Sequence, residues 1–249
     1  MIKIKTPEEI QIMAEGGKKL ARVKNALGDA VKEGVKASEI EELAVKMIKE
    51  EGAEASFKKV PGYRWATCVN VNEGLVHGIP VAAVVFKKGD LVSMDVGVYY
   101  KGFHTDTSIS VGIDLSSENQ KFFNIGRETL AKALKVAKAG NYIYDISKAI
   151  EESIEGAGYT TIKALVGHGV GRELHEDPQI PCFVPGERSE SPKIEKGMVL
   201  AVEVMYAMGS DKVEVSEDGW TILTRDGKIS GLFEDTVAVT EEGPIVLTR

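Results

Sequence analysis

Cysteine, aromatic residues and long apolar runs are all scarce in this sequence. Only two cysteines, Cys68 and Cys182, occur among 249 residues, so a scaffold held together by several disulfides is excluded. Charges interrupt the N-terminal stretch MIKIKTPEEIQIM, and no apolar run approaches the length of a membrane span. We therefore expect a cytoplasmic protein with reduced thiols and no contact with a membrane.

Concentrated positive charge is also missing. The formal net charge is -7, and the lysine pairs are isolated from one another, so no basic stripe is offered to nucleic acid. The chain is 43% hydrophobic, and its length suits one large core, although length alone would also allow two smaller domains. No low-complexity linker divides it, which favours a single domain over residues 1–249.

Two pairs of amphipathic helices are predicted, and each pair is followed by strand-like segments. The helix starts are marked by capping residues or by the onset of apolar periodicity. The predicted helices begin at Thr6, Pro7 and Glu9, at Ser38 with Glu41, at Ser117 with Gln120, and at Ile143. They end near residues 27, 52, 139 and 157. A polar segment rich in Pro, Gly and Ser, Phe183 to Lys196, predicts a surface loop.

The two helix pairs resemble each other at an offset of 106 residues. The identities at this offset are Gly34 with Gly140, Ile40 with Ile146, Ile48 with Ile154, and Gly52 with Gly158. Coincidence between two similar helix pairs and true internal duplication both explain four identities. Under duplication, the strand-rich segments 66–110 and 159–240 would form one central sheet.

Carboxylates interrupt runs that otherwise predict buried strands. Asp95 lies in LVSMDVGVYY, Glu203 in MVLAVEVMYAM and Glu234 in GLFEDTVAV, and no lysine or arginine occurs in these runs. A buried charge needs a partner or must become neutral, because its desolvation is costly. One such acid could simply reach solvent at a strand end. Three together favour a shared function.

A cluster of metal ligands would explain these acids. Asp95 and Asp106 flank a predicted tight turn at residues 100–102, so on a hairpin they would project from the same face, where like charges repel. His168 lies among the glycines of GHGVG. Four carboxylates and one histidine suit manganese, iron or cobalt better than a closed structural zinc site.

Five segments in this order resemble the metal and substrate motifs of methionine aminopeptidases: VNEGLVHGIP, MDVGVYYKGFHTDTS, VGHGVGRELHEDPQIP, AVEVM and GLFEDT. The likeness extends over nearly the whole chain. It implies the α+β pita-bread (creatinase/aminopeptidase) fold, with pseudo-twofold halves at about residues 1–110 and 111–249. In that fold a central curved antiparallel sheet carries the metal site, and helices cover its outer face.

The resemblance also implies roles for single residues. Asp106 and Glu234 are expected to bridge two divalent ions, whose identity among cobalt, manganese, iron and zinc stays open. Asp95 should chelate one ion, and His168 with Glu203 should hold the other. A hydroxide between the ions would attack the scissile carbonyl carbon, and Glu203 would carry a proton from it to the leaving amine.

Further residues are implied to contact substrate. His77 is expected near the scissile amide and His175 near the carbonyl oxygen, although either could be an ordinary loop histidine. The residues implied to form an apolar pocket for the methionine side chain are Tyr63, Cys68, Leu174 and Trp220. Each of these four is also compatible with plain core packing. His104 matches no role in the motifs and is interpreted as structural.

The implied function is that of a type I enzyme, which removes the initiator methionine from nascent polypeptides and prefers a small second residue. We expect a monomer, and contact with the ribosome stays open. Two alternatives are a non-catalytic binding protein on the same fold and an Xaa-Pro dipeptidase or aminopeptidase, whose usual extra domain a chain of 249 residues lacks. Val204 and Asp235 depart from the family pattern of proline and histidine at these places. The extra carboxylate of Asp235 is expected to affect metal preference.

Overall fold

Four helices form at the predicted places in the computed structural model, which describes residues 1–249. The first helix begins after Thr6, whose hydroxyl accepts a hydrogen bond from the Glu9 N–H at 3.2 Å, while the Glu9 carboxylate accepts from the Thr6 N–H at 3.0 Å. This reciprocal capping confirms the predicted start. The helices are α1 (Pro7–Ala30), α2 (Ala37–Glu50), α3 (Ser117–Val136) and α4 (Ile143–Glu155).

The predicted starts of α2 and α3 are wrong by one or two residues. In α2 the Glu39 carboxylate accepts a hydrogen bond from the Lys36 N–H, so the helix begins before Ser38. In α3 the cap is Ser116, whose hydroxyl accepts from the N–H three residues later, rather than Ser117. At α3 two adjacent serines could cap the helix, and the first does so, whereas at α2 the Lys36 side chain makes no capping hydrogen bond and Glu39 alone caps the start.

Thirteen short and long strands follow the helix pairs. They are β1 (Glu54–Ala55), β2 (Thr67–Val71), β3 (Gly74–Val76), β4 (Leu91–Tyr100), β5 (Phe103–Gly112), β6 (Thr160–Thr161), β7 (Val166–Gly169), β8 (Glu176–Pro181), β9 (Val199–Ala207), β10 (Val213–Val215), β11 (Ile222–Thr224), β12 (Ser230–Val239) and β13 (Pro244–Val246).

Ten strands from both parts of the chain form one antiparallel sheet, as predicted. Its main order is β1-β4-β5-β12-β9-β7-β8, so the long hairpin β4–β5 is joined to the later strands through β12. The prediction that every strand of these segments would enter this sheet is wrong for β3, β10 and β11, which form a second sheet of three strands. β11 instead pairs with β3, with Ile222 opposite Val76, beside the cavity described below.

Each helix pair covers its own part of the sheet. One hydrophobic cluster of 15 buried residues lies beneath α1 and α2, and another of 27 lies beneath α3 and α4. Gly34 and Gly140 adopt left-handed φ angles of 86° and 91°, and Ile40 and Ile146 are both fully buried. These matches support the two halves predicted from the repeat.

Two further expectations concern the surface. Apart from a single 3-10 turn at Arg188–Glu190, residues 183–196 contain no helix or strand, which confirms the predicted loop. None of the four helices combines the length and the apolar character that crossing a bilayer requires.

Candidate metal centre and substrate pocket

The β4–β5 hairpin brings its two aspartates to one face. Lys101 and Gly102 form the two-residue turn with φ angles of 48° and 91°, which sets the register of the whole hairpin. Asp106 in β5 then lies opposite Gly97 in β4, and Asp95 lies two residues before Gly97 in β4. Because side chains alternate along a strand, the two carboxylates are diagonal neighbours on the same face.

The registers of β12, β9 and β7 add the other three groups to this face. Glu234 lies directly opposite Glu203 in the β9–β12 pair. His168 lies opposite Ala201, the residue two positions before Glu203, so its ring projects to the same side. The structure therefore places all five predicted ligands in one cluster, although they come from four separate motifs.

No basic side chain neutralises these acids. The cavity above them is lined by no lysine or arginine. Asp95 Oδ1 and Glu234 Oε1 are buried and have no hydrogen-bond partner. Burial raises the pKa of Asp106 to about 7, and burial together with the neighbouring carboxylates raises the pKa values of Asp95 and Glu234 well above their ordinary range. The arrangement is unfavourable for four ionised acids unless a cation enters.

His168 is prepared to act as a ligand through one nitrogen. Its Nδ1 lies 2.8 Å from the Gly169 carbonyl oxygen, so this nitrogen carries the proton and donates it. Nε2 is left with a free lone pair, 3.6 Å from Glu203 Oε1 and 4.0 Å from Asp106 Oδ2. Burial lowers the pKa of His168 to about 3, which keeps the ring neutral.

This donor set fits divalent metal ions. Ligand atoms of Asp106, His168 and Glu234 all lie within 4.8 Å of one another. Glu203 and Asp95 line the same cavity, so carboxylate oxygens outnumber nitrogen donors. Hard or borderline ions such as manganese, iron or cobalt favour that composition, and they would satisfy the two unpartnered oxygens.

A cavity of about 140 Å³ opens above the acids and has mainly apolar walls. This volume is below the roughly 300 Å³ of pockets for drug-sized ligands and suits one side chain. The Tyr63 ring contacts the Trp220 ring edge-on at 5.1 Å, and its hydroxyl donates to Cys68 Sγ at 3.2 Å. All four predicted pocket residues, with Leu174 the fourth, line this cavity.

His77 and His175, the two histidines expected to contact substrate, lie at the opening of this cavity. His77 has a left-handed φ of 59°, a strained conformation that a side chain other than glycine adopts mostly where it serves a function. The ring of His175 lies 4.5 Å from that of His168, edge to face. Both His77 and His175 are exposed, so either could meet a bound peptide.

A larger, open groove of about 540 Å³ lies elsewhere, between the N-terminus and the loop near residue 190. Asp177, Glu187 and Glu190 are its only acidic residues, and Asp177 is already paired with the N-terminal ammonium group at 2.6 Å. The smaller cavity is the better candidate site, because only there do unpartnered buried acids converge.

Comparison with known proteins agrees with this chemistry. Residues 11–241 match the model of metallopeptidase family M24. Methionine aminopeptidase 1 of Bacillus subtilis is 41% identical over 250 residues, covering 100% of both chains. The chain belongs to the methionine aminopeptidases of family M24. The crystal structure of the Thermotoga maritima methionine aminopeptidase superposes with a TM-score of 0.96, at 42% identity and full coverage of both chains.

A more distant likeness concerns the fold alone. The prolidase of Pyrococcus furiosus shares 24% identity and a TM-score of 0.78, and the alignment covers 99% of this chain and 65% of the prolidase. The pita-bread fold predicted from the motifs is therefore confirmed. As in that fold, the antiparallel sheet of this methionine aminopeptidase family member carries the acids on the face opposite the helices.

Asp235 does not belong to the acidic cluster, and its expected effect on metal preference stays a prediction. It follows Glu234 in β12 and therefore points to the opposite, helix-covered face. There it accepts hydrogen bonds from Lys24 Nζ and Arg249 Nε, each at 2.8 Å. Val204 likewise alternates away from Glu203 and is fully buried in the core.

Some lining residues could not be predicted from the motifs. Phe57 begins a 3-10 turn and Val60 follows it, and both line the cavity although neither belongs to a motif. Val76, which also lines the cavity, lies within a motif but was assigned no role. All three are apolar residues among many, so no chemical signal marks them. His104, interpreted as structural, lies outside the cavity and is buried, with Nδ1 2.8 Å from the Ser56 hydroxyl.

Proposed function

We propose that this protein removes the N-terminal methionine from newly made polypeptides, as a type I enzyme that uses two divalent metal ions. The observation that carries the proposal is the cluster of four acids and a neutral histidine, without a basic partner, below a small apolar cavity. The composition of this cluster needs cations, and the cavity limits the side chain that enters.

The proposed ion-binding groups are the five that the family resemblance implies. Asp106 and Glu234 would help to hold both ions. Asp95 would hold one ion, and Glu203 with His168 Nε2 would hold the other. When bound, such ions supply Lewis-acid polarisation of the scissile carbonyl and lower the pKa of water, as in other two-metal sites, which are known among aminopeptidases.

The protein's own groups then carry the proton transfers and orient the peptide. The Glu203 carboxylate takes a proton from the attacking water and returns it to the leaving amine. His175 donates a hydrogen bond to the carbonyl oxygen, where negative charge develops. His77 donates a hydrogen bond to the peptide near the scissile amide. A donor aimed at such charge contributes about 3 kcal/mol in comparable sites.

Selectivity for methionine is attributed to the cavity walls. Tyr63 and Trp220 present aromatic rings, and Cys68 adds a polarisable sulfur, which together suit a thioether side chain. A small second residue is proposed because the family resemblance implies it. The proposed substrates are nascent N-termini, so the cytoplasm is the proposed location. We also propose that the protein is a monomer, and a contact with the ribosome stays open.

The proposal is tested by comparing two peptide classes. Met-Gly peptides and Xaa-Pro peptides are each incubated with chelated protein and with protein given manganese, cobalt, iron or zinc. Cleavage of Met-Gly peptides only with added metal is expected. Cleavage restricted to Xaa-Pro peptides would show a prolidase-type enzyme, and no cleavage with every metal would show a binding protein.

His175→Ala separates substrate contact from metal binding. We expect turnover to fall at least roughly tenfold, which corresponds to about 1.4 kcal/mol of barrier. Manganese affinity, measured by titration calorimetry, should stay nearly unchanged, because His175 is not among the proposed ligands. Wild-type turnover in this variant would remove His175 from the mechanism.

A further inference from the structure

The loop that carries His175 is fastened by the N-terminal segment. Lys5 Nζ donates a hydrogen bond to Glu176 Oε2 at 2.7 Å, and the two side chains are only 4% and 2% exposed. Glu176 directly follows His175, and its other oxygen, Oε1, accepts the Glu173 N–H at 3.2 Å. One carboxylate therefore joins residue 5 to both ends of the segment 173–176.

The surrounding backbone is shaped to admit this lysine. A Cβ atom on Gly171 would lie 2.5 Å from Lys5 Cε and 2.9 Å from Lys5 Nζ, so a side chain at position 171 would displace the lysine. The Gly171 carbonyl also accepts the His104 N–H at 2.7 Å. Lys5 is itself anchored, because its backbone N–H donates to the Gly197 carbonyl at 2.8 Å.

Burying such a pair away from water is costly and rarely adds stability by itself. A buried ion pair is better explained where it holds one conformation, and here the conformation is that of the segment bearing Leu174 and His175. Leu174 forms part of the cavity wall, and His175 lies at the opening. A shift of about 1 Å in such a group can lower a rate a hundredfold.

We propose that Lys5 and Glu176 are positioning residues, which set the place of His175 and Leu174 at the cavity through their buried ion pair. The proposal rests on the proposed aminopeptidase function for its kinetic consequence. Neither Lys5 nor Glu176 lines the cavity, so both act through the segment 173–176, which carries Leu174 and His175.

Lys3 provides a matched control for Lys5. It belongs to the same segment and lies 3.5 Å from the other oxygen of the same carboxylate, but its side chain is 51% exposed. Such exposed pairs contribute little. Lys5→Met should lower the turnover number for a Met-Gly peptide at least about tenfold, whereas Lys3→Met should leave it within about twofold. Lys5→Arg, which keeps the charge, should restore part of the loss.

Coupling to His175 distinguishes positioning from general destabilisation. In the His175→Ala background, Lys5→Met should cause little further loss of turnover, because the group it positions is already absent. Additive losses, or wild-type turnover in folded Lys5→Met, would overturn the proposal. If Lys5→Met does not fold, Glu176→Gln and Gly171→Ala enter the same cycle, since each disturbs the pair from its other side.

A second readout does not depend on catalysis. The ring resonances of His175 in the chelated protein, observed by NMR, should shift in Lys5→Met and stay unchanged in Lys3→Met. Unchanged resonances in both variants would overturn the proposal. A wild-type enzyme that is inactive on Met-Gly peptides would instead contradict the proposed function, and the NMR comparison would still test the positioning role.

Discussion

Glu234 and Asp235 are consecutive in β12 and equally buried, each 2% exposed, yet their surroundings are opposite. Asp235 meets two cationic groups of the protein, Lys24 and Arg249, and also accepts the Thr248 hydroxyl at 2.8 Å. Glu234 faces other acids, and its Oε1 has no partner. The fold thus neutralises the acid on the back of the sheet and leaves the front acids without a basic partner.

The two faces also differ in the reason for keeping an acid. Lys24 belongs to α1, which packs on the back of the sheet, and its ammonium group also donates to the Thr107 hydroxyl at 3.0 Å. The Thr107 hydroxyl in turn donates to the Glu234 carbonyl oxygen at 2.8 Å, so hydrogen bonds on the back face join β5 to β12. On the back face the charges stabilise the strands that hold the proposed ligands, and on the front face we propose that they bind ions.

The largest expected effect comes from breaking the back face. Asp235→Ala leaves the buried Lys24 without its partner, so the free energy of unfolding of the chelated protein should fall by about 3 to 5 kcal/mol. Urea denaturation measures this change. Glu50→Ala is the control, because Glu50 pairs with Lys46 on the surface, where both side chains are more than half exposed, and it should change stability by less than about 1 kcal/mol. Equal effects of the two substitutions would contradict the assigned roles.

Glu234→Gln should have a smaller effect with the opposite sign. It removes one acid from a group of mutually repelling carboxylates, so the chelated protein should gain stability on the order of 1 kcal/mol. Added manganese should then stabilise the variant less than the wild type, because a proposed ligand is gone. A loss of stability in the chelated variant, comparable to that of Asp235→Ala, would show that the front acids are neutralised within the fold.

The contrast between the faces shows which features the sequence contains. The convergence of the acids was predicted correctly because a charge inside an apolar strand is anomalous, and their role as metal ligands stays a prediction. The hairpin turn and the capping box at Thr6 are local, so they too were predicted correctly. The halves follow from a repeat with glycines at matching places.

The partners of these residues are a different matter, because they depend on chain segments that are distant in sequence. Lys24 and Asp235 are separated by 211 positions, and nothing near either residue indicates the other. Strand alternation predicts that Asp235 faces away from Glu234. The position of the Lys24 ammonium group beside Asp235, however, depends on how α1 packs on the sheet. The apolar wall at Phe57 and the second sheet were missed for the same reason, since both result from tertiary contacts.

The pH dependence of metal binding tests the front face directly. Burial raises the pKa of Asp106 to about 7, so the chelated site holds protons that an entering cation must displace, while His168, with a pKa of about 3, holds none. Apparent manganese affinity should therefore rise with pH through about 7, by roughly tenfold per pH unit for each proton released. Calorimetry in two buffers of different ionisation enthalpy counts these protons. Glu234→Gln should release fewer of them, and binding without any proton release at pH 6 would show that the front acids are already ionised before the metal enters.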